Sequence, residues 1–186
     1  FNAGAGVITL ANASNDFTGS VALNSTGATV AITDTNALAL ASPNLGANTG
    51  ITAIAGTTLT LPAFNFSAGT GNIDFQSGSG TLATNGTLTS SSGTVSLKGS
   101  AGVTVGHNIT TTSGSVSVIG AGINLTTGNT IDAGSNTITI DGNRFVEEVP
   151  VIAPKLICEL SVLSVNTLTT TGPFTPLVMI EFLKSS

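Results

Sequence analysis

Asp74 is the residue best placed to do chemistry in this sequence. It stands between Ile73 and Phe75 in an alternating apolar run, so it points away from any core those two build. A β-structured enzyme that cleaves acidic polysaccharide needs clustered Asp or Glu, often with Lys or Arg, on one outer face. Asp74 lacks that company. One sequence repeat to either side stand Thr52 or Ala53 and Ser96, and no second carboxylate. Asp34, Asp132 and Asp141 fall at or near corners, where Asp forms local turns. Lys98 is the one base before Arg144. His107, beside Gly106, reads as a solvated turn residue rather than a general base. The expectation is no catalytic residue and no enzyme.

Metal and cofactor chemistry fares no better. One His and one Cys cannot build a Cys/His zinc site or an intrachain disulfide. Cys158 is either a small buried hydrophobe or half of an intermolecular disulfide. Gly120-Ala121-Gly122 and similar fragments are corners rather than phosphate cradles, because no helix follows them. The calcium-binding Gly/Asp nonapeptide is absent. No cofactor is expected. Four Lys+Arg against a net charge of −5 leave nothing to neutralise phosphates, which excludes nucleic acid. Sugar platforms are usually Trp or Tyr, and there are none. Phe17, Phe64, Phe66 and Phe75 are expected mostly in the core. Asn-x-Ser/Thr occurs at Asn12, Asn24, Asn65, Asn85, Asn108 and Asn124, close to what this Asn, Ser and Thr content produces by chance, so the motif carries little weight.

The elements that carry these residues repeat. Apolar-x-apolar triplets run Ile8/Leu10, Val30/Ile32, Ile51, Ile73/Phe75, Val95/Leu97, Val116/Val118 and Ile138/Ile140, at steps of 21 or 22. A second series runs Phe17, Leu38/Leu40, Leu59/Leu61, Leu82, Val103/Val105 and Ile123/Leu125. A third runs Leu23, Leu45, Phe66, Leu88, Ile109 and Ile131. Gly50, Gly71, Gly93 and Gly114 precede the first series, Gly56, Gly78, Gly99, Gly120 and Gly142 follow it, and Gly86, Gly106 and Gly128 punctuate between the second and third. Glycine there is expected to supply the positive φ of tight corners. Each repeat is therefore three short strands and three corners. The fold class is all-β: a right-handed parallel β-helix of 6–7 coils spanning residues 1–143. At the strand spacing of a sheet the rod is roughly 30–35 Å long.

Residues 144–186 depart from the pattern. Ahead of them the charges are Asp16, Asp34, Asp74, Lys98, Asp132 and Asp141, and the tail carries the other seven, including every Glu. The tail also holds four of the six prolines, and it is rich in Val, Ile and Leu. It reads as two or three extended strands, with helix a weaker option for Lys155 to Leu163. The open end of a β-helix exposes unpaired N–H and C=O groups, so the tail either caps its own helix or pairs with a neighbour. The residues proposed for assembly are Phe145, Val149, Val151, Leu160, Val162, Leu163, Val178, Ile180 and Phe182. Charged substitutions at Leu160, Val162, Leu163, Val178 or Ile180 are expected to abolish assembly and leave the coils folded. Loss of folding instead would mark an intrachain cap.

Asn15-Asp16-Phe17-Thr18-Gly19-Ser20-Val21, Gly27-Ala28-Thr29-Val30-Ala31-Ile32-Thr33-Asp34 and Ala37-Leu38-Ala39-Leu40 resemble the repeats of filamentous-haemagglutinin-like and autotransporter-like bacterial surface adhesins. Gly93–Gly99, Gly114–Gly120, Asn129-Thr130-Ile131-Asp132 and Thr137-Ile138-Thr139-Ile140 look the same. The resemblance covers about residues 1–143. The family's secretion domain carries Asn-Pro-Asn, which Ser42-Pro43-Asn44 only approximates, so that domain is not expected. The resemblance implies a secreted or cell-surface shaft for adhesion or display, without catalysis.

The chain begins at Phe1 and its sole Met is Met179, which reads as a processed product or a fragment. No apolar stretch is long enough for a transmembrane helix. The expected function is an extracellular structural protein, a self-assembling filament or matrix subunit stacked end to end. The expected partners are further copies of the chain, with host or cell-surface glycans as a second class. The main alternative is a shaft fragment of a large adhesin. An ice-binding solenoid needs an unbroken outward Thr ladder. The two outer columns, Thr9, Ala31, Thr52, Asp74, Ser96, Ser117, Thr139 and Ala39, Thr60, Ala83, Thr104, Asn124, are both interrupted. A polysaccharide-active enzyme ranks with it, as turnover that Asp74→Asn would remove.

Overall fold

The alternation of Val, Ile and Leu with Thr, Ser and Ala suits strands with one buried side, and the chain folds accordingly. A computed structural model describes residues 1–142 except 28, 47 and 48. Beyond them it describes the backbone of Phe145–Val146, Val151–Ile152, Lys155–Ile157 and Thr167–Thr170. The described residues form a parallel β-solenoid with no helix.

The first face stacks Ile8–Leu10, Val30–Asp34, Ile51–Ala55, Ile73–Ser77, Val95–Gly99, Val116–Gly120 and Ile138–Gly142, each parallel to the next. Its inner ladders run Ile8, Val30, Ile51, Ile73, Val95, Val116, Ile138 and Leu10, Ile32, Ala53, Phe75, Leu97, Val118, Ile140. These are the partners that the sequence spacing predicts. The second face continues from Leu38–Leu40 through Leu59–Thr60, Thr81–Thr84, Gly102–Val105 and Ile123–Leu125. The third runs Phe66–Ser67, Leu88–Ser90, Ile109–Thr111 and Thr130–Asp132. All three faces turn their apolar residues into one continuous core. Within it Phe66 meets Phe75 edge-on at 5.1 Å between centroids, and Phe64 meets Phe66 at 5.0 Å. Phe66 and Phe75 are buried, while Phe17 and Phe64 are half-buried against the core.

The first coil departs from the predicted spacing. Ser20 and Val21 pair with Ala39 and Leu40, and Asn24 and Ser25 with Asn44 and Leu45. Phe17 is therefore not the partner of Leu38, nor Leu23 the partner of Leu45. The reason is local. The Asp34 carboxylate accepts the Phe17 N–H at 2.6 Å, and Asn15 donates its side-chain N–H to Leu10 O and Thr33 O. These bonds hold Asn15 to Phe17 in a long corner, and the second-face strand starts late, at Ser20.

Most of the periodic glycines serve a different need from the one expected. Positive φ occurs at Gly4, Gly19, Gly69, Gly102, Gly128 and Gly134, and of these Gly128 alone belongs to a periodic series, where it meets the expectation. At Gly56, Gly71, Gly78, Gly86, Gly93 and Gly114 the requirement is close approach of a neighbouring backbone. A Cβ on Gly93 would overlap the carbonyl oxygen of Gly71, and one on Gly114 that of Gly93. Coils packed at strand spacing leave no room for a side chain where one corner sits on the next. Hydroxyls close the same corner from inside. The Ser90 hydroxyl bonds Gly69 O at 2.9 Å and Gly71 O at 3.0 Å, and accepts the Gly93 N–H at 2.9 Å.

Candidate functional site

Two regions of a solenoid can act on other molecules: its outer faces and its ends. The outer faces are chemically sparse. On the first face one column runs Thr9, Ala31, Thr52, Asp74, Ser96, Ser117, Thr139. The adjacent column runs Thr33, Ile54, Gln76, Lys98, Ile119, Asp141. Asp74 sits between Thr52 and Ser96, half-buried, and accepts the Gln76 amide at 3.1 and 3.3 Å. Lys98 stands between Gln76 and Ile119. The acid and the base are each flanked by neutral groups, so no carboxylate pair forms around Asp74.

The other candidates are structural. Asp34, 1% exposed, accepts the Asn36 N–H at 2.7 Å as well as that of Phe17, and so joins two corners. Asp132 accepts the Gly134 N–H at 2.9 Å in a local turn. Asp141 lies in the last first-face strand beside Ile119. His107 is exposed in a corner. Among the described residues no three His, Cys, Asp or Glu gather where they could hold a metal ion. Two shallow hollows, one around Gly102 and Gly122 and one around Gly50 and Gly71, are lined without any titratable side chain. The second outer column, Ala39, Thr60, Ala83, Thr104, Asn124, is in register and interrupted by alanine and asparagine. Among the described residues no helix is long and apolar enough to cross a membrane.

The ends are unlike each other. At the N-terminal end Ile8–Leu10 and Ser20–Val21 close their sheets with one edge unpaired among the described residues. The third face begins with a bridge between Asn2 and Asn24, and the Phe1 ammonium bonds Ala22 O at 2.8 Å. Phe1 is 55% and Val7 64% exposed, two of the three large apolar residues that stand out of the described surface; Ile119 is the third. Phe1 also meets Phe17 edge-on at 6.0 Å.

At the C-terminal end Phe145 pairs in parallel with Ile123, so the second face extends to Phe145–Val146. The step from Ile123 to Phe145 equals one repeat, and it carries that signal in the sequence. Val151–Ile152 pairs antiparallel with Lys155–Leu156, and Lys155–Ile157 pairs antiparallel with Thr130–Asp132. Thr167–Thr170 pairs antiparallel with the last first-face strand, matching Ile138 with Thr170, Thr139 with Thr169 and Ile140 with Leu168. Of the proposed assembly residues, Phe145 and Val151 thus fall in paired strands. Val149, Leu160, Val162, Leu163, Val178, Ile180 and Phe182 lie outside the described residues, as does Cys158.

Comparison with protein-family models, curated proteins and solved structures returns no match for this chain.

Proposed function

We propose that this chain is a non-catalytic, extracellular structural protein whose β-solenoid self-associates end to end, as a filament or matrix subunit at a bacterial surface. The observation that carries the reading is the N-terminal end. Among the described residues, strand edges stand unpaired there beside exposed Phe1 and Val7. Such edges are templates for another chain, and natural proteins usually blunt them with charge, proline or a covering element. Here the nearest charged side chain in sequence is Asp16. The rod between the ends supports the same reading. Five Asp and one Lys over residues 1–142 leave little repulsion to hold copies apart.

A second reading is favoured by the even first-face ladder: a shaft segment of a larger adhesin, whose coils continue from that same edge. Sedimentation velocity over a wide concentration range tests the assembly reading. Species that grow with concentration support it. A single monomer boundary at every concentration overturns it and leaves the shaft segment.

A further inference from the structure

We infer that the strand Thr167–Thr170 is a two-sided connector: one edge holds its own solenoid, and the other takes the first strand, Ile8–Leu10, of the next copy. This rests on the end-to-end reading above and specifies its junction.

The argument is one of backbone alternation. In a parallel ladder the N–H and C=O of successive residues point to opposite neighbours. Val116 donates to Thr137 O, so Thr137 and Thr139 face back into the solenoid and Ile138 and Ile140 face forward. Their partners in the antiparallel strand are Thr170 and Leu168. The intervening Thr169 therefore directs its N–H and C=O away from the solenoid. At the other end Ile8 donates to Thr29 O at 3.3 Å, so Ile8 faces into the solenoid and Thr9 faces out. The two outward-facing residues are thus Thr169 at one end and Thr9 at the other.

Bringing Thr9 opposite Thr169 places Ile8 opposite Thr170 and Leu10 opposite Leu168. The stack then reads Ile138, Thr170, Ile8; Thr139, Thr169, Thr9; Ile140, Leu168, Leu10. Ile8-Thr9-Leu10 and Ile138-Thr139-Ile140 are nearly the same tripeptide, so the connector meets equivalent edges on both sides. Ile8–Leu10 of the next copy lies parallel to Ile138–Gly142, and every copy points the same way. A head-to-tail contact of this kind does not close, and it yields filaments. On the third face Val151–Ile152 stands at the level that Asn2 of the next copy takes. Joining therefore displaces that short strand, at the loss of its pairing with Lys155 and Leu156.

The test combines cross-linking with removal of a single donor. In a Cys158→Ser background, Thr9→Cys/Thr169→Cys is oxidised at an assembling concentration. Within one chain these positions lie at opposite ends of a rod of roughly 30 Å, too far apart for a disulfide. Disulfide-linked dimers and longer ladders are the expected result. Thr139→Cys/Thr169→Cys, a pair matched within the chain, is expected to give an intrachain disulfide and to assemble as before. Thr169→Pro removes the outward N–H and none of the donors that face the solenoid, and a sheet edge is where proline is tolerated. It is expected to leave the coil spectrum unchanged and to raise the concentration needed for assembly about tenfold or more, the equivalent of about 1.4 kcal/mol. Assembly without Thr9–Thr169 cross-links, or with Thr169→Pro unimpaired, overturns the connector and leaves the end-to-end reading standing. A background protein that stays monomeric at every concentration overturns both.

Discussion

At the scale of the residue, the structure reassigns what glycine does. The periodic glycines are legible in the sequence as corners, but their physical reason is not. A regularly spaced Gly looks the same whether φ is positive or a neighbouring backbone is close, and only three-dimensional stacking tells them apart. Gly93 and Gly128 separate the two causes. Gly93→Ala forces Cβ into Gly71 O of the preceding coil, whereas Gly128, at φ +83°, has open space around it. Urea unfolding of Gly93→Ala is expected to show a loss of roughly 3 kcal/mol or more, because the obstacle is backbone. Gly128→Ala is expected to cost about 1–2 kcal/mol, the strain of an L-residue in the left-handed region. Equal losses would return Gly93 to a conformational role. Asp34 is the second residue whose importance the sequence understates. It reads as a turn former, yet its buried carboxylate ties the corner at Phe17 to the turn at Asn36. Asp34→Ala leaves two N–H groups unpaired and is expected to lower stability by about 1–3 kcal/mol in the same assay. A neutral result would mean that the long corner holds itself.

At the scale of the element, the first face is legible in the sequence almost residue for residue. Its strands keep a strict period of two and its repeat length barely varies, so each apolar triplet has one possible partner one coil away. The first coil is not legible in the same way. Two of its apolar residues, Phe17 and Leu23, fit the numerical series without lying in the paired strands. Hydrogen bonds from Asn15 and to Asp34 override that spacing, and such bonds leave no periodic trace. If a coil is the unit of stability, deletion can test it. Removing residues 95–115 joins Thr94 to Val116 and brings Ile73 directly against Val116, one ladder step closer. That protein is expected to unfold cooperatively, with stability reduced by about 1–3 kcal/mol for the one coil lost. Removing residues 95–104 shifts every later strand out of register and is expected to abolish cooperative unfolding. If both deletions behave alike by circular dichroism and urea titration, the coils are not interchangeable units.

At the scale of the whole molecule, the two ends carry the functional argument. Low charge and the lack of Trp and Tyr already point in the sequence away from nucleic-acid and sugar platforms and toward a structural role. Which strands would form the junction is not legible there, because the choice depends on backbone alternation at Thr9 and Thr169, near opposite ends of the chain. The tail's apolar residues direct attention to Leu160, Val162 and Leu163, whereas the paired backbone points to the polar run Thr167–Thr170. An assembly built on pairing between Ile8–Leu10 and Thr167–Thr170, two strands without a charged side chain, should respond weakly to ionic strength. Its sedimentation profile is expected to be the same in low and high salt, and dissociation by salt would indicate an electrostatic contact instead. The central claim, that the rod is a building block joined by its ends, is tested most directly by negative-stain electron microscopy of the purified chain at neutral pH. The account predicts unbranched rods one solenoid wide whose lengths are multiples of a unit of roughly 30–35 Å plus its connector strand. Uniform rods one unit long at every concentration would contradict it.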